Sequence, residues 1–301
     1  MRASFGGPQL GESPTSAGAS QADTDGPPTS GATFWGGGSG AADGESGGPG
    51  LTSDDGPATT GMGQTTGAPP TDPNAPFIEY RFDEGAGATV HDSGKGPGYD
   101  LTIPNAGAIT WQASALRVDS GTLISGAVAA TALVNAITAS DAFTVEAWIR
   151  PSSLGQIGPA RILSLSFRSQ NRNVTLGQGE TPPGHNDYLA RIRTPGTNNN
   201  GLLRGDLSPI FADPGALTTE LTHVVLARGS SGTTTLYIDG ALQDSVALPG
   251  QLDGWDAGYR LHLAGEEGSD RPWLGTYAYV GIYDRAMDAA EVSMRFGGGP
   301  D

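Results

Sequence analysis

The chain has 301 residues, with 32 acidic against 16 basic side chains and a formal net charge of −16. This balance disfavours nucleic acid and anionic membranes as partners, because both carry negative charge themselves. The absence of cysteine excludes disulfides, thiolate catalysis and cysteine zinc sites from this chain. No apolar run approaches the length of a membrane span, so we predict no membrane insertion.

Residues 1–75 differ in composition from the rest of the chain. They contain 18 Gly, 9 Pro and 18 Ser or Thr, which together fill 45 of 75 positions, and 8 acidic residues against 1 Arg. A segment of this composition cannot bury a core, so we predict a disordered acidic linker. Residues 76–301 are predicted to form one domain.

Short segments rich in β-branched and aromatic residues follow one another through the second region, separated by Gly, Pro, Asn and Asp. In the first of them, alternation predicts that Ile78, Tyr80 and Phe82 face the core. The predicted strands are 77–82, 101–103, 116–118, 122–124, 143–149, 161–168, 174–176, 188–194, 221–228, 233–239, 242–248, 259–264 and 275–283.

The last predicted strand, residues 275–283, is apolar on both faces, which indicates a central strand covered on both sides. Simple alternation places Tyr277, Tyr279 and Tyr283 on one face and Ala278, Val280 and Ile282 on the other.

A short helix is predicted to follow this strand. Asp288 is a good N-cap residue, and Glu291 stands at capping-box spacing from it. The helix is predicted to stop at the glycines 297–299.

The spacing of the strands indicates an all-β fold. Asp239-Gly240 is a strong two-residue hairpin signal, because both positions tolerate positive φ. With no βαβ rhythm, the pattern predicts a sandwich of two antiparallel sheets.

Five segments and the closing strand, turn and helix resemble the LamG-like (concanavalin A-like) jelly-roll family, and we expect a bacterial member of it. The segments are FIEYRFDEG (77–85), HDSG (91–94), FTVEAWIRP (143–151), LTHVV (221–225) and LYIDG (236–240). The resemblance covers residues 76–297 and implies a two-sheet antiparallel jelly-roll sandwich. The Ala-rich segment 127–139 could form a helical turn, but in this family the corresponding segment is usually a loop. It does not fix the function, because this fold hosts lectins, hydrolases, adhesion modules and spacers.

A Gly/Ser/Thr/Pro-rich leader before such a domain looks like the stalk of a bacterial surface protein. The opening residues MRASFGGPQL lack the apolar core of a secretory signal. We therefore expect an export or lipoprotein signal upstream of this chain, and an extracellular or cell-surface location.

The first loops carry the candidate metal ligands Asp83, Asp92 and Asp100. Domains that resemble this one often hold a structural Ca²⁺ at the rim of a sheet, and flexible acidic loops supply the oxygens it needs. Many relatives also carry acids in the last strand, where this chain has Ala278 and Tyr279. That departure weakens the case for calcium against solvated loop charges.

Glu146 is the candidate carboxylate for catalysis. Jelly-roll glycosidases need two carboxylates on one face, and the usual ExDxE or ExDxxE spacing is absent here. Glu146 is the sole acid of its strand, with Trp148 two residues later. The alternative is a cross-strand ion pair between Glu146 and Arg191 or Arg193.

Sugar binding would need an aromatic ring face beside hydrogen-bonding groups. Packing in the core is the alternative role for each aromatic residue, because tryptophan is often mostly buried. The polar loop 197–201 could line a site, but its composition is typical of a turn. The candidate ligand-binding residues are Trp148, Tyr188, Arg191, Arg193, Trp255 and Trp273.

These observations favour a non-catalytic extracellular module that binds carbohydrate or another cell-surface ligand. One alternative is a structural or adhesive spacer that binds a protein partner. A glycoside hydrolase using Glu146 is a further alternative, and it requires a second acid opposite Glu146.

Overall fold

The computed structural model of the protein describes residues 72–179, 187–268 and 271–300. Residues 1–71 of the predicted linker lie outside the described residues, and its disorder stays a prediction. The described part is a sandwich of two antiparallel sheets, which confirms the predicted fold class. In this part of the chain, no helix is both long enough and apolar enough to cross a membrane.

Among the described residues, sixteen strands build the two sheets. In chain order they are β1 (Ile78–Tyr80), β2 (Thr89–Val90), β3 (Leu101–Thr102), β4 (Ile109–Gln112), β5 (Ala115–Val118), β6 (Ile124–Gly126), β7 (Phe143–Pro151), β8 (Ala160–Arg168), β9 (Asn171–Gln178), β10 (Tyr188–Ile192), β11 (Ile210–Phe211), β12 (Thr222–Arg228), β13 (Thr233–Ile238), β14 (Ala241–Ala247), β15 (Arg260–Leu263) and β16 (Gly275–Tyr283).

The first sheet, sheet A, has the strand order β14-β13-β12-β7-β16-β5-β4, and β1 pairs with β16. The second, sheet B, has the order β11-β10-β9-β8-β15-β6-β3-β2. We call the face of each sheet that points away from the other sheet its outer face.

The inner faces of the two sheets enclose one large apolar core. Ile78, Tyr80 and Phe82 are fully buried in it, which confirms the face predicted for the first strand. Phe82 stacks on Tyr277 with ring centroids 5.5 Å apart. The core thus ties the first strand of the domain to the last.

β16 is central in sheet A, as predicted, but its faces differ from the predicted ones. Its register against β7 shifts between Tyr277 and Tyr279. This bulge adds one residue, Ala278, and an extra residue reverses the alternation on one side of it. Tyr277 therefore lies in the core, whereas Tyr279 and Tyr283 point to the outer face of sheet A.

The described part of the chain contains two α-helices, and both are short. The predicted loop 127–139 is wrong in part, because α1 (Thr131–Ser140) occupies most of it and buries Leu133, Val134 and Ile137. α2 (Ala289–Gly298) begins at the predicted N-cap, where the Asp288 side chain accepts a hydrogen bond from Glu291 N. α2 covers part of the outer face of sheet A through a small apolar cluster that contains Tyr237, Tyr283 and Val292.

The predicted hairpin between β13 and β14 is confirmed. Asp239 and Gly240 both adopt positive φ, at 50° and 76°. Two such residues form the turn that matches the right-handed twist of the flanking strands.

Candidate functional site

The outer face of sheet B carries polar side chains that are buried. Strand register aligns Arg191 of β10, Thr175 of β9, Ser164 of β8 and His262 of β15 in one row across the sheet. All four are less than 7% exposed. The hydroxyls of Ser164 and Thr175 lie 2.7 Å apart, so the row satisfies part of its own hydrogen bonding.

A carboxylate shared by two arginines lies next to this row. Glu266 Oε2 accepts hydrogen bonds from Arg161 Nε and from Arg172 Nη2, both at 3.1 Å, and all three side chains are buried. Burial lowers the pKa of both guanidinium groups, and the charge of Glu266 opposes this effect. Glu266 Oε1 has no hydrogen-bond partner among the described residues.

Two cavities that share residues open beside this ion pair. The larger, of about 620 Å³, is lined in part by Arg191, Arg271 and the asparagines 198–200. The smaller, of about 260 Å³, is lined in part by Arg161, Arg191 and Arg271, and no described residue that lines it is acidic. We call the two cavities together the arginine cleft. Both cavities are lined by four shared residues, Gln170, Arg191, Asn200 and Arg271.

Of the six predicted ligand-binding residues, the structure places Arg191 in the arginine cleft. Arg193 lies at the end of β10 and donates its backbone N–H to Asn173 O. Its carbonyl accepts from Trp255 Nε1 at 2.8 Å, so the Arg193 backbone helps to hold the core. The asparagines of the predicted turn 197–201 also reach the cleft.

The other predicted aromatics do not offer a ring face to a ligand in this structure. Tyr188 and Trp273 are fully buried, and Trp255 is 6% exposed and packs on Phe143. The indole of Trp273 donates to Gln178 Oε1 inside the domain. These three residues fill the interior because a sandwich of this width needs large side chains between its sheets.

Trp148 lies on the outer face of sheet A instead. It is 6% exposed and stacks on His223, with ring centroids 4.7 Å apart. Phe296 of α2 stacks over the same indole at 5.9 Å. Helix α2 therefore covers the ring that sequence reasoning offered as a sugar platform.

Glu146 lies beside Trp148, in a second polar cluster. Its Oε1 is 2.9 Å from His223 Nε2. Its Oε2 accepts from the Tyr283 hydroxyl at 2.8 Å and from Arg295 Nη1 at 3.2 Å. The predicted ion pair with Arg191 or Arg193 is wrong, because β10 belongs to sheet B and the core separates it from the outer face of sheet A.

A second carboxylate approaches this cluster from β1. Glu79 and Glu146 both pair with Gly281, one on each side of β16. The hydroxyls of Tyr279 and Tyr283, 3.2 Å apart, connect the two acids, since Tyr279 donates to Glu79 Oε1 at 3.4 Å. Burial, reinforced by the charge of Glu146, raises the pKa of both tyrosines, which keeps the hydroxyls protonated.

This Glu146 cluster borders a cavity of about 320 Å³, which is also lined by residues of α2 and the segment that follows it. A Cβ at Gly281 would come within 2.7 Å of the Tyr279 hydroxyl, so the tyrosines pack closely against the strand between the two acids. Glu79 and Glu146 are 9% and 2% exposed. The arrangement is a closed hydrogen-bonded network.

The three predicted metal ligands do not converge. Asp92 uses both carboxylate oxygens to accept backbone N–H groups, from Glu79 and Gly94 at Oδ1 and from Tyr99 at Oδ2. Asp100 accepts from Asp92 N and pairs with His91, while Asp83 is exposed. Within residues 72–179, 187–268 and 271–300, no three His, Cys, Asp or Glu side chains group closely enough to hold a metal.

Comparison with known families agrees with this architecture. The family model described as the concanavalin A-like lectin/glucanases superfamily matches residues 119–293. The chain belongs to this superfamily. No curated protein matches the sequence.

Several solved structures share the superfamily fold at low sequence identity. A Trypanosoma rangeli sialidase in complex with 2,3-difluoro-KDN aligns with a TM-score of 0.50 and 12% identity, covering 73% of this chain and 32% of its own. Botulinum neurotoxin type C, described as depending on two ganglioside molecules for cell entry, aligns with a TM-score of 0.50 and 13% identity over 75% of this chain and 51% of its own.

The binding domain of botulinum neurotoxin DC, in complex with rat synaptotagmin II, aligns with a TM-score of 0.52 and 13% identity. It covers 75% of this chain and 52% of its own. The chain thus spans about a third to a half of the length of these proteins. At such identities the likeness shows the fold alone.

Proposed function

We propose that this domain is a non-catalytic carbohydrate-binding module that works outside the cell or at its surface, and that the arginine cleft holds the sugar. The observation that carries the proposal is the cleft itself, a polar cavity of about 620 Å³ on the outer face of a sheet. This volume falls in the range of small-molecule sites in proteins.

The chemistry of the cleft suits hydroxyl groups. Its lining combines amide side chains, which both donate and accept hydrogen bonds, with guanidinium donors and the carboxylate of Asp206, which accepts them. A sugar presents several hydroxyls in a fixed arrangement, and such a mixed set of donors and acceptors can pair with them. Recognition here would rest on hydrogen bonds, because the four predicted aromatics are packed elsewhere.

The comparisons support a binding role. The superfamily joins lectins and glucanases, and the similar solved structures include a sialidase in complex with 2,3-difluoro-KDN and a neurotoxin that interacts with gangliosides. The synaptotagmin complex keeps a protein ligand as the second candidate.

The state of Glu146 supports a non-catalytic role. Both of its oxygens are engaged by His223, Tyr283 and Arg295, and the side chain is 2% exposed. A glycosidase needs a carboxyl group within hydrogen-bond reach of the glycosidic oxygen and a second acid beside the bond. Glu79, the nearest candidate for that second acid, is itself bound by Tyr279, Ser93 and Arg81.

The test is binding of the full chain to a panel of oligosaccharides, with a variant in the cleft. Gln170 is exposed and lines both cavities, so Gln170→Ala removes a polar contact with little risk to the fold. We expect this variant to bind a panel ligand several-fold more weakly. Gln112→Ala, an exposed glutamine on β4 of the other sheet, is the matched control and should bind as the parent does.

The same samples test the absence of catalysis. We expect no new reducing ends after long incubation with any panel ligand. Product that forms with the parent chain and not with Glu146→Gln would overturn the non-catalytic proposal. Absence of binding to every sugar would instead overturn the carbohydrate proposal and favour a protein ligand.

A further inference from the structure

We propose that the arginine cleft selects sugars that carry an acetamido group, and that Asn200 and Leu202 bind this group. The inference rests on the proposed function and specifies its ligand class. It starts from two side chains of one turn, an amide and an aliphatic group, that line the larger cavity together.

The turn that carries these two residues is held in place by its own hydrogen bonds. Asn198 Oδ1 accepts from the backbone N–H groups of Asn200 at 2.9 Å and of Leu202 at 3.1 Å. Gly201, between them, has a φ of 69°, and a Cβ there would come within 2.7 Å of Ile192 N. The turn therefore lies closely against β10. It presents both side chains at fixed positions, which lowers the entropic cost of binding.

The side-chain amide of Asn200 is available to a ligand. Asn200 lines both cavities of the cleft. Its Oδ1 is buried and accepts no hydrogen bond from any described residue, and its hydrogen bond to Asn198 uses the backbone N–H. The amide can therefore turn its oxygen towards a donor in the cavity without breaking a hydrogen bond to that oxygen. Because a buried acceptor without a partner is costly, a ligand N–H that reaches Oδ1 stabilises the complex.

Leu202 gives the cleft an apolar contact. Among the described residues that line the larger cavity, it is the one with an apolar side chain. Leu202 is 6% exposed, yet it belongs to neither of the apolar clusters described above. A methyl group that packs on Leu202 is removed from water, which favours binding.

An acetamido group supplies both contacts within a few bonds. Its N–H donates a hydrogen bond to Asn200 Oδ1, and its methyl group packs on Leu202. Its carbonyl oxygen accepts hydrogen bonds, for which the lining offers the side-chain amides of Gln170 and Asn199. A hydroxyl at the same ring position can donate to Asn200, but it has no methyl group for Leu202.

An acetylated lysine side chain offers the same group without a sugar ring. The amide-rich lining of the larger cavity favours the sugar, because amides supply both donors and acceptors for the ring hydroxyls. A peptide with acetyl-lysine is therefore a competing outcome of the experiment.

The experiment is calorimetric titration of the full chain with chitotriose, the trisaccharide of N-acetylglucosamine, and with cellotriose. Cellotriose has the same linkage and carries a hydroxyl in place of each acetamido group. N-acetylgalactosamine and galactose form a second pair, with a different ring configuration. In at least one pair we expect the acetamido sugar to bind about tenfold more tightly than its partner, because it adds a buried methyl contact and a hydrogen bond.

Two variants assign the preference to the turn. Asn200→Ala should bind the acetamido sugar about fivefold more weakly, because it removes the acceptor of the N–H. Leu202→Ala should weaken binding of the acetamido sugar several-fold and leave its hydroxyl partner nearly unchanged, because it removes the surface on which the methyl group packs.

Two further variants serve as controls. Leu202→Met keeps an apolar side chain of similar volume, so it should keep the preference for the acetamido sugar. Asn135→Ala removes an exposed asparagine from α1, where it lines neither cavity, and should bind as the parent does. Melting curves establish that each variant is folded before binding is compared, and Asn200→Ala decides the matter if Leu202→Ala does not fold.

The outcomes separate the two proposals. Equal binding within both pairs, weakened by Gln170→Ala, would overturn the acetamido selectivity and leave the carbohydrate proposal standing. A preference that neither Asn200→Ala nor Leu202→Ala reduces would overturn the assignment to these residues. Binding of an acetyl-lysine peptide as tightly as the acetamido sugar would overturn the selection of a sugar. Failure of both pairs and of every panel sugar to bind would overturn both proposals.

Discussion

At the scale of single residues, Asp92 illustrates how an acidic side chain in a loop stabilises the fold. Its carboxylate accepts three backbone N–H groups, each at 2.8 Å, from Glu79, Gly94 and Tyr99. These contacts join β1 to the loop between β2 and β3. The sequence presents Asp92 as a candidate calcium ligand, whereas the structure gives both of its oxygens to the backbone.

We expect Asp92→Ala to lower the free energy of unfolding by about 3 kcal/mol, because hydrogen bonds to a charged acceptor are strong and the variant leaves three donors without it. Urea unfolding of the two proteins measures the difference. Asp83→Ala is the matched control, because Asp83 is exposed, and its free energy of unfolding should stay within about 0.5 kcal/mol of the parent.

The same pair of variants tests whether calcium binds at the Asp83, Asp92 and Asp100 loops. A bound ion stabilises the folded state in proportion to the logarithm of its concentration above the dissociation constant. With the Asp92 oxygens already bound by N–H groups, we expect equal melting temperatures in calcium and in chelator. A rise with calcium that disappears in Asp83→Ala would show that the loops rearrange around an ion.

At the scale of the element, α2 shows how a signal read from sequence becomes a tertiary contact. The Asp288 side chain caps the helix at Glu291 N, as its position predicts. The Glu291 carboxylate accepts hydrogen bonds from Arg285 and Arg295, and the guanidinium of Arg285 holds the pKa of Glu291 below its usual value. Arg295 then reaches Glu146. The cap therefore fixes one end of the helix that covers the Glu146 cluster.

We expect Asp288→Ala to destabilise the protein by about 1 kcal/mol, the usual cost of losing an N-cap side chain. Because α2 also carries Phe296 over Trp148, the loss should appear as increased tryptophan quenching by acrylamide. Ser293→Ala, exposed on the same helix, is the control and should be neutral or slightly stabilising, since alanine has the higher helix propensity. Equal stability of Asp288→Ala and the parent would contradict a capping role.

The elements that sequence predicts well are those whose signals are local. Alternation identifies the buried face of β1, and Asp239-Gly240 identifies the β13–β14 turn, because both depend on neighbouring residues only. The bulge at Ala278 escapes such reasoning, since it arises from pairing with β7. The family resemblance favoured a loop where α1 forms. The three buried residues of α1 contact the core, and these contacts determine that the segment is a helix.

The candidate site was predictable only in part. Arg191 and the asparagine-rich turn stand out in the sequence as polar groups near strand ends. Glu266, Arg161 and Arg271 carry no such signal, because Glu266 lies 105 residues from Arg161 in the chain and meets it only through the pairing of β15 with β8. A long-range ion pair of this kind is set by topology.

At the scale of the whole molecule, the two outer faces of the sandwich differ in what covers them and in polarity. Helix α2 and its apolar cluster cover the outer face of sheet A, where Glu146 and the tyrosines form a closed network. The outer face of sheet B is polar, and beside it opens the larger of the cavities described here. The open cavity therefore lies on the side of sheet B. The outer face of this sheet also carries an ionisable side chain, His262, in its buried polar row.

His262 should make the stability of the whole domain depend on pH between about 6.5 and 4. The ring is fully buried, and its Nε2 lies 3.3 Å from Ser166 O. Burial lowers the pKa of His262 to about 4, whereas the unfolded chain takes up this proton near pH 6.5. The unfolded state therefore binds more protons in this window, so the free energy of unfolding falls as the pH drops through it, by up to about 3 kcal/mol.

Urea unfolding at pH 7.5, 6, 5 and 4 measures this slope. His262→Gln should flatten it, whereas His91→Gln, at an exposed site, should keep it. The same slope in the parent and in His262→Gln would show that other groups cause the acid sensitivity.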